Sequence, residues 1–107
     1  MIQAAFVRVA GVGELSPGDM KAVEVGEDQV LLTNVDGTIY ACSNICTHAF
    51  VPLSEGELDG VQVECPSHGS VFDVTTGEAL DAPADEDLQM YQVRIDGQDV
   101  LVGPAAA

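Results

Sequence analysis

The sequence predicts an all-β domain built from antiparallel sheets, and three observations carry that prediction. Helical periodicity is nearly absent along the 107 residues. Short runs rich in Val, Ile, Thr and Tyr recur from one end to the other, separated by Gly and Asp-Gly steps. Two pairs of these runs meet at an Asp-Gly dipeptide, the strongest short-range hairpin signal because it supplies the positive φ angles of a tight turn.

Taken in order, a first strand is expected from Phe6 to Ala10 and a second from Lys21 to Val25. Ser16-Pro17-Gly18-Asp19 lies between them and has turn composition. Val30 to Val35, then Asp36-Gly37, then Thr38 to Ala41 reads as the first hairpin. In the second, Tyr91, Val93 and Ile95 alternate with polar neighbours, Asp96-Gly97 turns, and Val100 and Val102 continue the alternation. Between the hairpins lies a segment of different character, Cys42 to about Pro83, which holds every Cys and His in the chain. Short strands are expected within it at Val61 to Glu64 and Ser70 to Val74, with a turn at Thr75-Thr76-Gly77-Glu78. The whole chain, 1–107, is therefore read as one domain with a chemistry-bearing subdomain, about 42–83, inserted between outer strands; the Gly-Pro-Ala-Ala-Ala tail is expected to fray.

Composition narrows the function. Eighteen acidic residues stand against Arg8, Lys21 and Arg94, a formal net charge of -15, and such a surface repels nucleic acid and anionic lipid while attracting proteins with basic patches. Hydrophobic residues make up 47% of the chain, enough for a core, yet no apolar run approaches the ~20 residues of a membrane helix. The first residues carry no basic-then-apolar signal pattern, so a soluble cytoplasmic protein is expected. Three cysteines in such a chain argue against a disulfide framework and for metal binding.

The metal-ligating candidates are Cys46-Thr47-His48 and Cys65-Pro66-Ser67-His68, separated by the sixteen residues from Ala49 to Glu64. Each pair presents a thiolate and an imidazole from one tight loop, and two facing loops complete four ligands. Two thiolates and two imidazoles suit either zinc or an iron-sulfur cluster. Spacing separates these choices, because a zinc finger pairs like ligands in one loop, whereas here each loop mixes one Cys with one His, an arrangement suited to two inequivalent irons. Replacing two thiolates by neutral imidazoles on one iron raises the reduction potential. Cys42, at the end of the run Ile39-Tyr40-Ala41, reads as a small buried hydrophobe rather than a ligand.

These residues resemble the Rieske family, whose signature C-x-H, about 15 to 17 residues, C-x-x-H is met by Cys46, His48, Cys65 and His68. The resemblance extends to Cys-Pro-x-His-Gly and to Phe-Asp-x-x-Thr-Gly-Glu, here Phe72 to Glu78, and spans essentially the whole chain. It implies a Rieske fold, with a base domain and two cluster-binding loops, and one [2Fe-2S] cluster with both Cys on one iron and both His, through Nδ1, on the other. It further implies an electron carrier rather than an enzyme. Electrons would come from an NAD(P)H-dependent ferredoxin reductase and go to a terminal ring-hydroxylating dioxygenase, both docking transiently on a monomer. The Leu-Ser-Glu-Gly-x-Leu-Asp-Gly run resembles carbazole dioxygenase ferredoxins in particular. The small Rieske-like subunit of nitrite reductase and a zinc-stabilised module are the alternative readings. Against the former, all four ligand positions are filled here.

Departures from the respiratory type sharpen the expectation. The two bridging cysteines of that type fall at Val51 and Ser67 here, and its sulfur-donating Tyr falls at Phe72, while Ser70 is kept. Hydrogen bonds to sulfur stabilise the reduced state, so the potential is expected at the low end of the Rieske range. Asp81-Ala82-Pro83-Ala84 resembles the loop that covers Rieske clusters, and with Ala49, Phe50, Val51 and Pro52 it would form an apolar collar, ringed by Glu55, Glu57, Asp59, Asp85, Glu86 and Asp87 to orient a basic partner. A redox titration is expected to give a midpoint near ~-150 mV; a value above zero contradicts this tuning.

Overall fold

Glycine-containing turns set the register of the base sheet. In the computed structural model, which describes residues 6–47, 51–67, 69–81 and 86–105, the first hairpin closes at Val35 and Thr38 over Asp36 and Gly37. Both central residues take positive φ, 52° and 95°, as a type I′ turn requires. The Asn34 side chain accepts the Gly37 N–H at 2.7 Å and donates to the Leu15 carbonyl at 2.9 Å, which ties this turn to the preceding segment. The second hairpin differs from the expectation. Asp96 pairs with Asp99, so the central residues are Gly97 and Gln98, with glycine first, the arrangement of a type II′ turn.

Ten strands result: β1 (Val7–Gly11), β2 (Met20–Val25), β3 (Asp28–Val35), β4 (Thr38–Ser43), β5 (Glu57–Asp59), β6 (Gln62–Glu64), β7 (Val71–Asp73), β8 (Ala79–Asp81), β9 (Met90–Asp96) and β10 (Asp99–Ala105). They form two antiparallel sheets, a six-stranded one ordered β1-β10-β9-β4-β3-β2 and a four-stranded one ordered β5-β6-β7-β8. Every strand expected from the sequence is present with ends shifted by a few residues, while β5 and β8, three residues each, are additional. So short a strand is too brief for an alternating pattern to show. Single 3-10 turns occupy Val12–Glu14 and Leu53–Glu55.

The six-stranded sheet curls until its outer strands β1 and β2 touch. All six strands point residues into the core this encloses, among them Ala10, Val23, Val30, Leu32, Ala41, Val93, Val100 and Val102. The opposite face of β3 and β4, through Leu31 and Cys42, packs against the four-stranded sheet and its loops in a second core with Cys46, Leu53, Val63, Cys65, Phe72, Val74 and Leu88. Strand β3 is thus buried on both faces, and for that reason Val30-Leu31-Leu32 runs without alternation.

Leu31 is fully buried at the seam between the two sheets. Leu31→Ala is expected to cost about 2–5 kcal/mol through lost burial and the cavity left behind, measured by denaturant unfolding.

Candidate metal centre

Two loops at one end of the four-stranded sheet share a single construction. Cys46 donates its backbone N–H to the Val51 carbonyl at 3.0 Å, and the antiparallel bridge Ile45 to Pro52 lies just outside that bond. Cys65 donates its N–H to the Ser70 carbonyl at 2.7 Å, and the paired residues Glu64 and Val71 of β6 and β7 lie just outside. Each candidate cysteine therefore opens a six-residue loop sealed by its own amide. Ser70 is fully buried beneath the second loop, and its carbonyl makes that seal.

The loops bring the two thiols together. Cys46 and Cys65 are almost wholly buried in one apolar cluster, near enough for one thiol to influence the other. Burial pushes the Cys65 thiol above its ordinary value, the Ser67 backbone amide donates to it and opposes the rise, and the Cys46 thiol raises it again. A thiol raised in this way favours its protonated form until a cation takes the place of the proton. The other sequence-predicted ligands, His48 and His68, lie outside the described residues, as do Ala49, Phe50 and Ala82 to Asp85. Among the described residues no three Cys, His or acidic groups gather in a metal-binding arrangement.

The surroundings hold these loops in place. The Thr47 hydroxyl donates to the Glu86 carbonyl at 2.8 Å, joining the first loop to the segment before β9. The Phe-Asp-x-x-Thr-Gly-Glu motif has a structural use. Asp73 accepts from both the N–H and the hydroxyl of Thr75, and Gly77 sits where a Cβ would come within 2.5 Å of the Leu88 carbonyl. That close approach lets Leu88 donate to the Gly77 carbonyl at 2.7 Å and pins the 86–88 segment beside the first loop. Asn44, which the sequence did not single out, and Ser54, singled out only within the Leu-Ser-Glu-Gly-x-Leu-Asp-Gly run, clasp the base of the same loop. Asn44 donates to the Ser54 hydroxyl at 3.2 Å and accepts the Ser54 N–H at 2.9 Å. The only signal was position, two residues before Cys46 and three after Val51.

A cleft lies on each side of the cysteine pair. One, of about 250 Å³, is lined by Glu55, Glu57 and Glu64 with Cys65, Pro66 and Gly69; the other, of about 350 Å³, by Glu86, Asp87 and Gln89 with Ser43, Cys46 and Thr47. Of the carboxylates expected near the site, Glu55, Glu57, Glu86 and Asp87 are exposed and line these clefts, as does Glu64, whereas Asp59 lines neither and Asp85 lies outside the described residues.

A family model for the Rieske [2Fe-2S] domain matches residues 5–92. The chain belongs to the Rieske family. The cofactor of this Rieske domain is a [2Fe-2S] cluster, and the paired thiols, with a backbone donor already aimed at one sulfur, fit the thiolate half of such a cluster. The chain is 43% identical over 97 residues, 91% of its length, to the ferredoxin component of the naphthalene 1,2-dioxygenase system of Pseudomonas aeruginosa, of which it covers 93%. Among solved structures, the ferredoxin of carbazole 1,9a-dioxygenase from Nocardioides aromaticivorans IC177 superposes with a TM-score of 0.90 at 36% identity, covering 94% of this chain and 98% of that one. A second match, a complex of reduced oxygenase and oxidized ferredoxin in carbazole 1,9a-dioxygenase, has a TM-score of 0.87 at 33% identity, with 92% of each chain covered. The Rieske fold and the ferredoxin likeness expected from the sequence both hold.

Cys42 stands apart from the pair. It is buried on the outward face of β4 against the second core, and burial pushes its thiol up to about 12. Cys42→Ala is expected to leave the visible and electron paramagnetic resonance spectra unchanged, and the native Cys42 thiol to resist alkylation at pH 8 until the chain is unfolded, as followed by mass spectrometry.

Proposed function

We propose that this chain is the ferredoxin component of a ring-hydroxylating dioxygenase system, an electron carrier and not an enzyme. It takes electrons from an NAD(P)H-dependent ferredoxin reductase and passes them to a terminal oxygenase. The observation that carries this reading is the pair of sealed loops that buries Cys46 and Cys65 in one apolar cluster. We assign Cys46, His48, Cys65 and His68 as the four ligands, the two thiolates to one iron and the two imidazoles to the other. We take residues 1–107 as one domain in which about 42–83 form the cluster-binding subdomain.

A bound [2Fe-2S] cluster supplies reversible one-electron chemistry. The protein's part is to hold its ligands rigidly and to find partners. Loops sealed by their own amides and backed by a β-sheet limit movement of the ligands between redox states. Ser70 is buried under the second loop, and Phe72 offers no sulfur donor where the respiratory type has one. Ten of the 18 acidic residues fall between Cys42 and Asp87, a stretch without Lys or Arg, so the field is most negative around the cluster end. A basic partner is steered toward that end, and small, charged interfaces of this kind release quickly. The carrier works as a monomer in the cytoplasm; among the described residues no helix is long and apolar enough to cross a membrane. The oxygenase, not this chain, selects the aromatic substrate.

Stopped-flow mixing of the reduced, cluster-loaded chain with a carbazole- or naphthalene-type terminal oxygenase tests the assignment. Rapid oxygenase reduction is expected, slowing about 10-fold or more as salt rises from low to near-molar ionic strength because the steering field is screened. A protein with a Rieske spectrum that reduces neither type of oxygenase at low salt overturns it.

A further inference from the structure

The short run Leu53 to Gly56 is attached to both cysteine loops at once, and its two ends do different things. Toward the first loop it is held by hydrogen bonds. Leu53 donates to the Asn44 carbonyl at 2.6 Å, and Ser54 exchanges two further bonds with the buried Asn44 side chain. Asn44 is itself fixed to the base sheet, donating its backbone N–H to the Gln29 carbonyl at 2.9 Å. Toward the second loop the run makes contact by having nothing there. A Cβ on Gly56 would collide with the Glu64 carbonyl oxygen and lie 3.1 Å from the Glu64 carbonyl carbon and 3.2 Å from Pro66 Cδ. Glu64 and Pro66 flank Cys65 in the chain.

Gly56 has an ordinary φ of -90°, so the backbone conformation does not demand glycine there; the space does. Gly13 offers the contrast, with nothing within 4 Å of an added Cβ. A segment tied by hydrogen bonds to the base of one loop and pressed, at backbone thickness, on the base of the other acts as a spacer. Close packing transmits any added width as displacement rather than absorbing it.

We propose that Leu53 to Gly56 sets the separation of the two cysteine loops, with Ser54 and Gly56 as positioning residues that fix the bite of Cys46 and Cys65 on the cluster. This rests on the proposed function, in which those loops hold the cluster. Groups behind metal ligands, though they touch no metal, tune its affinity and electronic state.

The test uses loaded protein carrying Gly56→Ala, Ser54→Ala, Ser54→Thr or, as control, Gly13→Ala. The readouts are the g-values of the reduced protein, the midpoint potential, the rate of iron loss to a chelator and the global unfolding free energy. Gly56→Ala is expected to displace the g-values and the potential and to speed iron loss by ~10-fold or more. Ser54→Ala should move all three in the same direction by less, Ser54→Thr, which keeps the hydroxyl, should restore them, and Gly13→Ala should match wild type. If Gly56→Ala does not fold, Ser54→Ala decides. Wild-type g-values, potential and iron retention in the variants that fold, even with lowered stability, overturn the spacer. Absence of the Rieske spectrum from wild type instead removes the functional reading itself, so the two failures are distinguishable.

Discussion

Burial of β3 and β4 on both faces is the constraint on which the rest of the structure depends. One face of these strands closes the curled six-stranded core through Val30, Leu32 and Ala41, and the other supports the four-stranded sheet through Leu31 and Cys42. The strand pair belongs to two hydrophobic cores at once. The loop that follows β4, opening at Cys46, therefore starts from a strand pair buried on both faces. The thiol of Cys65 comes to meet that of Cys46 because β6 and β7 are packed onto the same surface.

Much of this was legible in the residues, for physical reasons. Asp36-Gly37 announces a type I′ turn because few other dipeptides tolerate two positive φ angles. Cys46 and Cys65, in loops of matching spacing, announce two thiols that meet, because cysteines so placed have few other uses. What could not be read was held by long-range contact. β8 is three residues long and takes its place by pairing with β7, while Asn44 and Ser54 are ten residues apart and acquire meaning only when the chain folds back. Gly56 looks like any turn glycine until the Glu64 carbonyl is found against it. The second hairpin turned on Gly97-Gln98 rather than Asp96-Gly97, since an Asp-Gly step can end a strand as well as form its turn.

The family motif divides into two kinds of residue. Cys46 and Cys65 meet at the site, and their neighbours Ser67 and Ser70 contribute backbone groups that donate to sulfur or seal a loop. Phe72, Asp73 and Gly77 instead shape the β7–β8 hairpin, and through the Gly77–Leu88 contact they bring the Glu86 carbonyl within reach of Thr47. A sequence signature that reads as one chemical motif thus mixes groups near the electron-transfer centre with groups that only frame it. The basic residues follow the same division, since none falls between Cys42 and Asp87 while Arg8, Lys21 and Arg94 all lie on strands of the base sheet.

The curled core has a consequence for how such a protein is made. Among the described residues, none of its buried members comes from either cysteine loop, and each loop is closed by its own backbone bond. The curled core is therefore closed by residues other than the candidate ligands, unlike that of a zinc finger, whose ligands are its core. Iron and sulfide delivered to the cysteine loops would therefore meet ligands that take no part in closing that core.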